Sequence, residues 1–150
     1  FRSMLSAPLL PSSASSSAAI LTRALPQLRA FSLFAQDAHW QVTGPLFGIL
    51  HPLFGELYDM VTAYSDAIAE RIRQLNARPP LAAGIEPFAI GGEEGSLLAA
   101  QCLQHAQKLG AILYRAMDEL KAYDVVFLAV FQDLQARLEK LLWQIGSHAG

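Results

Sequence analysis

Only one cysteine, Cys102, occurs in the 150 residues. A single thiol excludes an internal disulfide framework and a cysteine-based zinc site. It fits a reducing compartment, and the expected location is the cytoplasm. Charge is also scarce: 16% of residues are charged and 53% are hydrophobic, both shifted towards burial relative to an average domain. Yet no apolar run reaches the ~18 residues that a membrane-spanning helix needs. The longest clean run, Val125 to Phe131, is far too short, so no membrane role is expected. A subunit that buries surface against many neighbours has this composition. Net charge is −2, which gives no global attraction to nucleic acid. There is no internal repeat beyond shared helicity, no glycine-rich phosphate loop, no Ser/His/Asp arrangement and no strand pattern.

The chain instead reads as four amphipathic helices. Residues 1–17 are expected to form an N-terminal arm and residues 18–150 a single helical domain. The arm is rich in Ser, Ala, Leu and Pro, and no acidic residue precedes Asp37, although Arg2, Arg23 and Arg29 do. Organelle transit peptides share that style; the simpler expectation is an arm lying on an oligomer surface. Leu28, Phe31, Phe34, Ala35, Ala38 and Val42 recur at three- and four-residue steps and predict a helix over 19–43. Pro26 kinks that helix or marks its start. Leu50, Phe54, Leu57, Val61, Tyr64, Ile68 and Ile72 predict a second helix over 46–76. It stops before Pro79 and Pro80, since the residue preceding a proline disfavours helix. Seven prolines and glycines between 79 and 95 predict a long irregular connection. A third helix is expected over 96–122 with Leu98, Cys102, Leu109 and Leu113 inward, and with His105 on the surface. Asp124 then suits the N-cap of a fourth helix ending near Ile145. Trp143, near that end, is expected to pack.

Four residues carry metal-binding chemistry at a suggestive spacing: His39, His51, Asp66 and Glu70. Gly44 and Pro45 punctuate the stretch, because glycine ends helices and proline suits a first turn. His39 precedes Pro45 by six residues and His51 follows it by six, so an antiparallel hairpin brings the imidazoles to one height. Asp66 and Glu70, four apart, share a helix face. His51 and Asp66 lie on roughly the same face but ~22 Å apart along the axis, at ~1.5 Å per residue. One helix cannot join them. A second copy, antiparallel across a two-fold axis near Met60, can. Two imidazoles and two carboxylates suit a divalent first-row metal such as iron. Taken alone, the carboxylates also fit a solvated face with Glu70 paired to Arg71 or Arg73, and a lone histidine at a helix end also fits a surface or capping residue.

The pattern HWxVxGPxFxxLHxLFxELYD, followed by the D-x-x-x-E of SDAIAERI, resembles the central signature of the Dps family, the dodecameric mini-ferritins. The resemblance is close from His39 to Leu75 and looser to Trp143. It implies an all-α, ferritin-like four-helix bundle with one long crossover between helices two and three, where the family carries a short interface helix. It implies that His39, His51, Asp66 and Glu70 are ferroxidase ligands shared between two subunits of a homododecamer. Fe(II) would be oxidised there by hydrogen peroxide or oxygen and stored as ferric mineral. Trp40 would be an oxidisable ring near the iron, although packing is the commoner role of a tryptophan. The family also draws iron through acidic channels near the positions of Asp124 and Asp133.

Two departures bear on this. The family usually places an acid four residues after the second histidine, where this chain has Gly55; restoring it as Gly55→Asp is expected to tighten a second iron position. Pro52 directly follows His51 and removes one N–H. The alternative is therefore a structural or DNA-protecting oligomer with a weakened metal site. Some family members bind DNA through a lysine-rich arm; this arm has no lysine, so DNA binding is not expected.

Overall fold

The computed structural model describes residues 11–150. They form four helices: α1 (Pro11–Gln41), α2 (Phe47–Gln74), α3 (Gly95–Tyr123) and α4 (Val125–Gly146). Helix α1 starts well before the expected residue 19, so residues 11–17 continue it, and Ser17 and Ala18 are buried. The rest of the expected arm lies outside the described residues. Pro26 sits inside α1.

The apolar stripes meet in one core, with Phe31, Phe34, Phe54 and Phe131 fully buried among Leu28, Leu50, Leu98 and Ile68. Burying each such side chain contributes about 1.5–3 kcal/mol. Cys102 lies in this core, and burial pushes its thiol up to about 12, which leaves it unreactive. On α4 Leu141 is buried, whereas Trp143, expected to pack, is 71% exposed.

Helix α2 ends in a Schellman turn. Asn76 adopts φ +63°, Ala77 N–H donates to Ile72 O and Asn76 N–H to Arg73 O. Residues 75–94 then cross the bundle, and they contain no helix, unlike the expectation from the family. The crossover is fastened along its length. Phe88 N–H donates to Ala30 O and its ring meets Phe31 at 6.1 Å. His105 is half-buried rather than a free surface residue: its Nε2 bonds Ala89 O at 2.6 Å, and its ring stands edge-on to Phe34 at 4.7 Å. Gln101 both donates to and accepts from the Gly91 backbone. Finally Thr43 N–H donates to Glu93 O at 2.9 Å, beside a parallel bridge between Thr43 and Glu94. Glu94 caps α3 by accepting from the Ser96 and Leu97 amides. Helix α3 thus begins beside the start of α2 and runs parallel to it, while α1 and α4 run the other way.

Asp124 caps α4 as expected, accepting from Phe127 N–H at 3.2 Å, but its larger role is tertiary. It is buried and receives Arg71 Nη2 at 2.8 Å, Arg71 Nε at 3.1 Å and the Ser17 hydroxyl at 2.7 Å. It therefore joins α1, α2 and α4 and does not line a channel. Asp133 is exposed and is bonded by the Tyr64 hydroxyl and by Arg137 Nε at 3.2 Å.

Burial pushes the Asp124 carboxyl up, but the bonds from Arg71, Ser17 and Phe127 N–H together outweigh it and hold it below the usual carboxylate range. A group lowered in this way contributes stability above its unfolded value, ~3.9, and that contribution is lost as pH falls through the folded value. Removing one partner of a buried pair costs about 3–5 kcal/mol. Asp124→Asn is therefore expected to lose about 3 kcal/mol at pH 7. The gap to the parent should narrow below about pH 4. Denaturant unfolding at both pH values checks this; a gap independent of pH would show that the charge is not what stabilises.

Candidate metal centre

The site is built where α1 ends and α2 begins. Helix α1 stops at Gln41, Gly44 turns the chain at φ +85°, and α2 starts at Phe47 without a side-chain cap. His39 lies in the last turn of α1, where carbonyls lack intrahelical partners. Thr43 N–H, which would ordinarily close on His39 O, is taken by Glu93 O in the crossover. The His39 carbonyl is filled instead by a side chain: His51 Nδ1 bonds it at 2.7 Å. The exchange is reciprocal, with His39 Nδ1 bonded to His51 O at 2.6 Å. That oxygen, within α2, has two lone pairs and accepts the imidazole in addition to its helical partner.

A carbonyl accepts only, so each Nδ1 must carry the proton. Each neutral ring then keeps its lone pair on Nε2, the state a metal ligand requires, with the second nitrogen held by a carbonyl. The two rings stack at 3.9 Å and 14°, and Phe47 stacks on His51 at 4.8 Å. Both histidines are half-buried. Pro52 does not disturb this, because it sits inside a continuous α2.

Asp66 and Glu70 are exposed on α2, one turn apart. Neither forms a hydrogen bond or ion pair with any described residue. The expected alternative partners are engaged elsewhere: Arg71 with Asp124 and Gln74, and Arg73 with Ala77 O. Among the described residues of one chain, no three His, Cys, Asp or Glu side chains come close enough to hold a metal ion. The structure therefore brings His39 and His51 together and leaves Asp66 and Glu70 as a separate pair on the same helix.

Gly55 looks different in three dimensions than in sequence. A Cβ there would lie 2.9 Å from His39 Cε1 and 3.0 Å from its Nδ1. An aspartate introduced at 55 would meet the His39 ring, which fills that space, before it could act as a ligand. Sequence spacing carries no sign of this contact, which depends on how closely the hairpin closes. Trp40 is 63% exposed, so it does not pack within its own subunit.

Helix order and crossover define a ferritin-type bundle. The family model described as Ferritin-like domain matches residues 18–150. The chain is 32% identical over 114 residues to a DNA protection during starvation protein of Brevibacillus brevis, covering 71% of this chain and 76% of that one. The fold matches Mycobacterium smegmatis Dps with a TM-score of 0.87 at 22% identity, over 93% of this chain and 90% of that one. It matches the Microbacterium arborescens Dps in its high-iron form with a TM-score of 0.82 at 21% identity, over 93% and 95% of the two chains. The chain belongs to the Dps branch of the ferritin-like family.

The imidazole geometry has a direct spectroscopic consequence. Long-range nitrogen–proton NMR spectra at a pH where the rings are neutral should show both His39 and His51 as Nδ1–H tautomers. His39→Ala keeps the main-chain carbonyl of residue 39, so His51 should remain Nδ1–H in that variant. Finding Nε2–H at both positions in the parent would rule out the reciprocal carbonyl bonds.

Proposed function

We propose that this protein binds Fe(II) as a substrate at a centre shared by two subunits, oxidises it with hydrogen peroxide or oxygen, and stores the product inside a shell of twelve copies. The observation that carries this is the separation of two prepared half-sites. One is an imidazole pair with both Nδ1 atoms committed to carbonyls. The other is a carboxylate pair without partners among the described residues, ~22 Å away along α2.

Antiparallel packing of two α2 helices about an axis near Met60 places each imidazole pair against the partner's carboxylates. Leu33, Trp40, Phe47 and Ile49 are exposed apolar side chains on or beside the hairpin, and a second copy laid over this face would cover them. The imidazoles supply neutral nitrogen donors. The carboxylates supply negative charge, which favours the higher charge of the oxidised ion. Each Fe(II) yields one electron, and one hydrogen peroxide takes up two electrons and two protons to leave two waters. DNA protection, which the name of the Brevibacillus relative states of that protein, finds no support here in a net charge of −2.

Asp66→Ala and Glu70→Ala should each abolish rapid iron oxidation while leaving the assembly intact. Complementation is more specific. His39→Ala subunits and Asp66→Ala subunits are each expected to be inactive. Reassembled together in equal amounts, they should regain about a quarter of the parent's sites, because each mixed two-fold pair contains one complete site. Stopped-flow oxidation of the mixture measures this. No recovery from a mixture shown to contain mixed assemblies would mean that the ligands do not come from two subunits.

A further inference from the structure

The position that most changes meaning between sequence and structure is Gly55. It lies one turn after His51 on α2, with its Cα turned towards the His39 ring. Real Cβ atoms do not approach another heavy atom to 2.9 Å, so any side chain at 55 forces the ring away. The ring has little room to yield. Its Nδ1 is tethered to His51 O at 2.6 Å, its face is stacked on His51 at 3.9 Å, and His51 is backed by Phe47. Moving it breaks the bond that fixes its tautomer or opens the stack.

We propose that Gly55 is the positioning residue of the imidazole pair: its bare Cα makes the space in which His39 settles, so position 55 cannot also supply a carboxylate. The glycine is then part of the site. A chain that packs its first histidine into this space gives up a donor at 55 and keeps four protein donors per shared centre. The metal count that follows rests on the proposed function; the steric role of Gly55 does not.

The two are separable by experiment. A glycine in an open helix position gains stability on replacement by alanine. Gly110, within α3 with nothing within 4 Å of its added Cβ, is the control. Gly110→Ala should raise the melting temperature of the metal-free protein by about 2–4 °C. Gly55→Ala should fail to do so in the parent, but should do so in a His39→Ala background, where the obstructing ring is gone. If Gly55→Ala is as stabilising in the parent as at Gly110, the ring moves freely and the proposal is wrong.

The second measurement is Co(II) binding to the assembled protein, by calorimetry and by the visible ligand-field bands. Gly55→Ala should weaken binding about 10–100-fold, the usual effect of losing the group that orients a ligand. Gly55→Asp should do the same and should gain no second tight ion. A second Co(II) bound by Gly55→Asp at parental affinity would overturn the exclusion of a carboxylate. If the parent and His39→Ala bind Co(II) equally, the proposed metal centre fails, while the melting experiment still decides the role of Gly55.

Discussion

The reciprocal bonds between His39 and His51 are the constraint on which the site depends. Each imidazole bonds the other residue's backbone carbonyl, and the His39 carbonyl, which has no helical partner, is left unpaired if the His51 ring rotates away. The clasp is possible because a helix end leaves the His39 carbonyl free and because the crossover removes its normal competitor, the Thr43 amide. A backbone vacancy at the end of α1 thus becomes the device that fixes two side chains on two helices. The same bonds close the hairpin so tightly that only glycine fits opposite the His39 ring.

The rest of the bundle holds that hairpin still. The crossover is pinned at Ala30, Phe31, His105, Gln101 and Thr43, so it behaves as a strap across the bundle. At the far end of α2, Asp124 gathers Arg71 and Ser17 and also caps α4. Because Arg71 turns to Asp124, the next residue, Glu70, is left without a cationic partner there. One structural ion pair thereby draws Arg71 away from the exposed acidic face of α2, which the proposed shared centre would use. This matters more than the pair's own contribution to stability, since a buried pair often gains little over apolar packing.

A single subunit presents two unfinished surfaces. The hairpin face shows apolar side chains beside the imidazoles, and the α3–α4 corner shows Tyr123, Val125 and Val126. Part of the high hydrophobic content lies on the surface, since large apolar side chains such as Trp40, Leu81, Val125 and Trp143 are exposed. Other copies of the chain would cover these side chains in the proposed shell.

Periodicity determined the four helices and most buried positions, because burial on one face of a helix repeats every 3.6 residues whatever lies opposite, and the prolines and glycines between 79 and 95 determined the long crossover. The equal distances of His39 and His51 from Pro45 likewise determined that the imidazoles meet, since antiparallel helices convert sequence symmetry about a turn into proximity. Four outcomes belonged to the tertiary structure. His105 fastens the crossover, Asp124 binds Arg71 rather than facing a channel, Trp143 stays exposed, and Gly55 receives a ring. Three of these are contacts between residues far apart in sequence or facing across two elements, and Trp143 is the lack of one; neither helical period nor residue type encodes which side chains meet. Spacing also showed that His51 and Asp66 share a face and cannot meet within one helix. Only the folded chain shows that, among the described residues, no other element brings a third donor to either pair, which is why the proposed centre needs a second copy.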